Sequence, residues 1–283
     1  LSRESFASLS CRDAFAFGAH TSYLDRQLAE VALEAARRAA VILRQASAQG
    51  ASGVATKTSQ TDMVSDVDRS AEVAIAEVLC SARPDDALLG EEGTRREGTS
   101  GVRWLVDPLD GTTNFLFGLP QFCVSVAAEV DGHAAVGVVI DPCRDETWTA
   151  LRSQGAWCNG EPISVAFDRS SLSKALLATG FGYQAEARAW QSQVVACLLP
   201  KVRDIRRFGS AALDLCWLAA GRFDAFYEWG LNPWDCAAGA LIASQAGATV
   251  TTDHDGLLLA APPHLHEDLW RLLASCREGI QRH

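Results

Sequence analysis

The spacing of apolar positions divides the chain into stretches of different kind. Residues 22–48 place Leu24, Leu28, Val31, Ala35, Ala39 and Ile42 three to four apart, which predicts a long amphipathic helix. Gly50 and the Ala-Ser-Gly stretch after it end that helix. Residues 54–65 are polar and predict turns. A second helix is predicted over 66–82, with Val67, Ala71, Ala74, Ile75 and Val78 on one side. Ser65 is its expected N-cap, and Asp68 projects from the first turn, where a carboxylate suits the helix dipole. From residue 87 the period becomes that of strands. Residues 87–90 are apolar and are broken by Glu91-Glu92-Gly93; residues 95–101 predict a polar loop; residues 104–106 predict a strand running into Asp107. Apolar stretches at 122–130 and 133–140 flank Asp131-Gly132, and a second pair flanks Asn159-Gly160. Both are two-residue hairpin turns. Two helices on a mostly antiparallel sheet are expected for the first 165 residues.

Beyond Asp168 strands and helices alternate. Strands are predicted at 175–179, 204–207, 223–228, 248–251 and 257–260, and helices at 186–198, 210–220, 233–245 and 264–276. Such alternation means α/β layering. The expected organisation is an α+β part over 21–168, an α/β part over 169–283, and a flexible arm over 1–20.

Composition narrows the functional classes. Of 283 residues 48% are apolar and 21% charged, which excludes a disordered chain. The longest apolar runs are about half the roughly 20 residues a membrane span needs. Formal charge is −10, which argues against nucleic acid as the main partner. Nine cysteines are spaced irregularly with no CxxC pair, so zinc-ribbon and thioredoxin readings fail; buried, reduced thiols of a cytoplasmic protein are expected. Residues 1–20 lack a signal-peptide pattern. The six histidines show no metal-ligand spacing.

Four segments carry chemistry. In Trp104-Leu-Val-Asp107-Pro108-Leu109-Asp110-Gly111-Thr112-Thr113-Asn114-Phe115, a buried strand delivers Asp107 at its end. Pro108, lacking an N–H, is expected to stop the ladder. Asp110 follows three residues on, so a tight turn brings two carboxylates together. They repel unless a cation lies between them, and hard oxygen ligands suit Mg²⁺ or Mn²⁺. Gly111-Thr112 offers N–H groups and a hydroxyl to a phosphate. Taken alone, a solvated turn explains the same residues. The other segments are Gly90-Glu91-Glu92-Gly93, Asn232-Pro233-Trp234-Asp235 at a helix start, and the stretch from Lys57 through Asp62 and Asp66 to Asp68. Each alone reads as solvated or capping charge.

In this order, with WDCAAGALIASQAGA following, the segments resemble the inositol monophosphatase family of metal-dependent, lithium-sensitive phosphatases, over roughly residues 24–275. The resemblance implies layered α-β-α-β-α architecture and hydrolysis of a phosphate monoester by in-line attack of an activated water. It implies Glu91, Asp107 and the Leu109 carbonyl as ligands of a first metal, and Asp107, Asp110 and Asp235 as ligands of a second. Asp68 and Glu91 would order a third. Catalytic roles fall on Asp68, Glu91 and Thr112, with Gly111 and Thr112 cradling the phosphate. Asp110, Gly209, Ser210, Ala211 and Glu228 would line the alcohol side, and Lys57 would lie near the site. Two or three Mg²⁺ ions are implied, with Mn²⁺ as a substitute and Ca²⁺ or Li⁺ as inhibitors. The implied state is a cytoplasmic homodimer acting on a small phosphorylated polyol, with no nucleic acid or membrane partner.

Inositol 1-phosphate is the first-choice substrate. Histidinol phosphate, fructose 1,6-bisphosphate and a 3′-phosphoadenosine nucleotide stay open, because Tyr183 stands where a smaller serine is usual in the resembled family. A regulatory protein that keeps the fold is the alternative from another class; bacterial relatives have been linked to RNA-polymerase or ribosome-associated roles. Trp234, beside Asp235, is a further candidate for the site wall. Arg206 and Arg207 could face an anionic substrate or a subunit partner.

Overall fold

A computed structural model of the chain describes residues 6, 8–18, 21–49, 54–56, 63–167 and 171–281. The chain first runs α1 (Cys11–Phe15), α2 (Tyr23–Gln49), β1 (Val54–Thr56), β2 (Met63–Ser65), α3 (Asp66–Ala82), β3 (Ala87–Gly90), β4 (Arg95–Arg96) and β5 (Val102–Asp110). It goes on through α4 (Thr112–Leu116), β6 (Cys123–Val130), β7 (His133–Asp141), β8 (Glu146–Leu151), β9 (Gly155–Cys158) and β10 (Glu161–Pro162). After the crossover come β11 (Leu176–Thr179), α5 (Ala185–Leu198), β12 (Asp204–Arg206), α6 (Ala211–Ala219) and β13 (Ala225–Trp229). It closes with α7 (Pro233–Gln245), β14 (Thr249–Thr252), β15 (Leu257–Ala261) and α8 (Pro263–Gln281).

These elements form five α/β layers. Helices α2 and α3 cover one face of an eight-stranded sheet, order β10-β9-β8-β7-β6-β5-β3-β4. Its pairs are antiparallel except β3 with β5. Helices α6 and α7 fill the space between that sheet and a mixed five-stranded one, order β12-β11-β13-β15-β14. Helices α5 and α8 cover the outside. The central strands are apolar on both faces because both are covered. On β5, Trp104 and Val106 enter the core under α2, while Leu105 enters the core under α6 and α7. Helix α7 comes so close to the first sheet that a Cβ at Gly137 would stand 2.9 Å from the Ala238 carbonyl. A Cβ at Gly239 would stand 2.8 Å from Leu215 on α6.

Several expectations are corrected. The N-terminal stretch is no loose arm among its described residues: Phe6, Leu9, Ala14 and Phe15 are buried, α1 is capped by Ser10, and Thr149 donates to the Ala14 carbonyl. Those apolar side chains outweigh the stretch's polar composition. Residues 54–56 and 63–65 pair as antiparallel strands where turns alone are expected. The polar loop contains β4, which pairs with Leu88 and Leu89. Pro108 interrupts the ladder without ending the strand: Asp107 pairs with Ser125 and Asp110 with Cys123. Two residues of β5 thus face one of β6, a bulge that re-aims the chain between the two aspartates. Cys197 on α5 and Cys276 on α8 form a disulfide, so the reading of all nine as thiols fails for this pair. The expected boundary at 168/169 falls on residues 168–170, outside the described residues.

Candidate active site

The bulge in β5, the start of α4, the turn after β3 and the first turns of α6 and α7 meet at one cavity of about 500 Å³. Glu91, Asp107 and Asp235 each present a carboxylate oxygen there, all within 4.8 Å of one another. Asp107 is 2% exposed and spends Oδ1 on the Leu109 N–H at 3.0 Å. Asp235 closes a capping box at the start of α7, its Oδ2 accepting the Asn232 N–H at 2.7 Å.

Asp110 does not join this triad. Its Oδ2 accepts from the Ser210 hydroxyl and the Ala212 N–H, both at 2.7 Å, and so holds the start of α6. Asn114 makes a parallel link, donating to the carbonyls of Gln121 at 2.8 Å and Phe208 at 2.7 Å. Segments 110–114 and 208–212 are therefore stapled together. The expected second set, Asp107 with Asp110 and Asp235, is only partly gathered, because α6 claims an oxygen of Asp110.

Thr112 lies between two acceptors, 3.0 Å from the Leu109 carbonyl and 3.4 Å from Asp68 Oδ2. Gly111, at φ +99°, makes the turn into α4; a Cβ there would stand 2.8 Å from the Gln121 carbonyl. The N–H groups of Gly111 and Thr112 fall where a helix start has no internal acceptors. Gly209, Ser210, Ala211 and Glu228 also line the cavity. Glu228 packs so closely under Gly180 that a Cβ there would be 2.1 Å from its carboxylate. Lys57 lies outside the described residues. Trp234 packs with the α6–α7 core and does not line the cavity.

Burial and mutual repulsion shape the charges. The Asp107 carboxyl is pushed well above its ordinary range by burial, then by Glu91, Asp110, Asp235 and Asp68. Burial lifts Asp235 to about 7, against the Asn232 N–H that holds it down. Burial lifts Glu228 to about 8, with Arg207 opposing. Asp110 is raised by burial and held back by Ser210 and Ala212. Like charges this close are stable only with a cation among them or with protons retained. An all-carboxylate donor set fits a hard divalent ion.

Sequence reasoning missed part of the wall. Phe181, Trp190, Gln191, Trp229, Asp255 and Arg277 line the cavity from five different elements or loops. Arg207 lines it as well and stacks over Phe181, 6.0 Å from the ring centre. Arg206 instead pairs with Asp204. Buried Asp214 on α6, its carboxyl raised by burial and by Glu228 and Asp110, stands behind this wall.

The model of the inositol monophosphatase family matches residues 24–278. The chain is 41% identical over 247 residues to an inositol-1-monophosphatase of Mycobacterium bovis, covering 82% of this chain and 85% of that one. It is 41% identical over 223 residues to the Nus factor SuhB of Escherichia coli K12, covering 78% and 83%. The crystal structure of the extragenic suppressor protein suhB from Bartonella henselae superposes with a TM-score of 0.81 at 38% identity, covering 87% of this chain and 98% of that one.

Proposed function

As the chain belongs to the inositol monophosphatase family and is a phosphoric monoester hydrolase, we propose that it releases phosphate from a small polyol, inositol 1-phosphate first. The proposed ion is Mg²⁺, held by Glu91, Asp107 and Asp235 with the Leu109 carbonyl, and with Asp110 completing a second position. What supports this reading is the convergence of three carboxylates beside the Gly111-Thr112 turn, in one cavity that continues to the Glu228 wall.

When bound, a divalent ion offsets the carboxylate charge and lends Lewis acidity to the phosphoryl group. The chain's residues do the rest. The N–H groups of Gly111 and Thr112 hold phosphoryl oxygens. Thr112 Oγ1 and Asp68 orient the attacking water, and Asp68 accepts its proton. Glu228, Gly209, Ser210 and Ala211 seat the alcohol, so that water and leaving oxygen lie on opposite sides of phosphorus.

A second reading keeps this chemistry but gives the alcohol a flat ring. The aromatic wall of Phe181, Tyr183, Trp190 and Trp229 favours it. Among the described residues no helix is long and apolar enough to cross a membrane. A cytoplasmic homodimer, inhibited by Li⁺ and Ca²⁺, is part of the proposal. A relative's name, Nus factor SuhB, motivates the competing regulatory reading.

The test is phosphate release from inositol 1-phosphate, histidinol phosphate, fructose 1,6-bisphosphate and 3′-phosphoadenosine 5′-phosphate, with and without Mg²⁺, beside Asp235→Asn. Mg²⁺-dependent release that is strongest on inositol 1-phosphate and lost in the variant is expected. Another leading compound moves the substrate assignment and spares the metal site. No turnover with any divalent ion overturns the reading and favours the regulatory one.

A further inference from the structure

Helix α3 grips the turn that carries Glu91. Glu72 lies one helical turn after Asp68, on the same face, and is 3% exposed. Its Oε2 accepts the Glu92 N–H at 2.7 Å, and its Oε1 accepts the Thr94 N–H at 2.8 Å. Arg69, on the same helix, approaches the Glu92 carboxylate at 3.9 Å. Gly90 is what lets Glu72 lie there, since a Cβ at that position would stand 2.4 Å from Oε2. On the other flank the Glu91 N–H donates to the Val106 carbonyl at 3.1 Å, one residue before Asp107. Glu91 is thus fixed between the carboxylate of α3 and the strand that delivers Asp107.

This arrangement answers a mechanical need. Glu91 has to be held with a carboxylate oxygen within 4.8 Å of those of Asp107 and Asp235, acids that disfavour each other's ionised form. A turn between two short strands has little stiffness of its own. Two charge-assisted hydrogen bonds from one buried carboxylate supply it, and they act on the backbone on the far side of Glu91 from β5.

We propose that Glu72 is a positioning residue for metal capture: by accepting the N–H groups of Glu92 and Thr94 it keeps Glu91 turned toward Asp107 and Asp235, and so sets the site's affinity for a divalent ion. The inference rests on the reading of that triad as the metal site. Glu72 touches neither ion nor substrate in this role. It acts through Glu91, as outer partners of metal ligands commonly do, at a cost of about 10- to 100-fold in affinity when lost.

The test is calorimetric titration of the metal-free full-length protein with Mn²⁺ and with Mg²⁺, alongside the Mg²⁺ dependence of phosphate release and a separate melting curve. In Glu72→Gln the amide can accept only one of the two N–H groups and sets its own NH₂ against the other. The expected result is an ion affinity weaker by about tenfold or more, with kcat recovering at saturating Mg²⁺. Gly90→Ala keeps the carboxylate but displaces it, so it is expected to weaken affinity in the same direction, and it serves if Glu72→Gln is too unstable to purify. In a Glu72→Ala background Gly90→Ala is expected to add no further loss, because the clash is gone.

Ion affinity within twofold of the parent in both single variants, with only melting temperature lowered, overturns the proposal. So does a loss of kcat that saturating Mg²⁺ does not restore. If the unsubstituted protein binds no divalent ion in the same titration, the metal-site reading itself fails, which separates the two outcomes.

Discussion

The two ends of the cavity are built differently. The metal end comes largely from one continuous stretch, residues 107–112, with Glu91 and Asp235 added from a neighbouring turn and a helix start. Asp107 is buried, and its neighbours' backbones are hydrogen-bonded into β5, β6 and α3. The alcohol end is assembled from β13 and α5, from the loops around Phe181 and Arg207, and from the C-terminal part of α8, where Arg277 pairs with Asp253 and Asp255. It is aromatic and partly open, with Tyr183 half exposed. A site of this kind fixes its reaction through local geometry and leaves its choice of substrate to side chains that can change one at a time.

The contrast can be broken most directly at Asp107. Asp107→Asn is expected to lower kcat by about a thousandfold or more and to abolish calorimetric Mg²⁺ binding. The same variant, free of metal, is expected to melt higher than the parent near neutral pH, because it removes a carboxyl that burial and its acidic neighbours hold above its ordinary range, and with it the cost of keeping that group protonated in the folded chain. Residual activity within tenfold of the parent would contradict the metal end as described.

Acidity offers the next test. Glu228, whose carboxyl is raised from 4.5 to about 8, and Asp235, raised from 3.8 to about 7, keep their protons in the folded chain when the unfolded chain has lost them. The folded state therefore binds more protons across that window, and stability falls as pH rises through it. The metal-free protein is expected to lose about 10 °C in melting temperature between about pH 5 and pH 8. Saturating Mg²⁺ is expected to flatten the slope, since binding stabilises the ionised carboxylates. A melting temperature that rises over this range without metal would show these groups to be ionised already.

Smaller effects belong to the alcohol end. Tyr183→Ser is expected to change KM for the preferred alcohol about three- to tenfold and to move kcat less, roughly the weight of one contact at a pocket rim. Breaking the Cys197–Cys276 link with dithiothreitol is expected to lower the melting temperature by a few degrees, as loss of a closed loop does, while Mg²⁺ affinity stays within about twofold. An equal loss of metal affinity would mean that the outer layer and the metal end are more tightly joined than the layering suggests.

The same contrast governs what could be read from the chain. The metal end was legible because its residues are close in sequence and its chemistry needs a particular order of Asp, Gly and Thr. The hairpin at Asp131-Gly132 was legible because turn chemistry is local. Trp190, Trp229 and Arg277 were not, because three separate elements bring them together and none bears a local mark of the site. Glu72 did leave a signal: an acid on the apolar side of α3, next to Ala71 and Ile75. The buried N-terminal stretch was missed because Phe6, Leu9 and Phe15 keep no period. Nor does the spacing of cysteines 79 residues apart show which two will meet.

Helices α6 and α7 lie between the sheets, yet of the helices only α8 is made after them. The face of the first sheet that bears Leu105, Ala127, Val139 and Trp148 is covered by Leu215, Ala238 and Ile242. At the pace of synthesis, a strand completed near Trp148 waits roughly 5–20 s for Ile242 to leave the ribosome. Until then it presents an apolar surface with no partner in its own chain. Birth, rather than catalysis, is the moment when this molecule is most exposed to its neighbours, and a nascent chain halted short of α7 would be a ready client for chaperones.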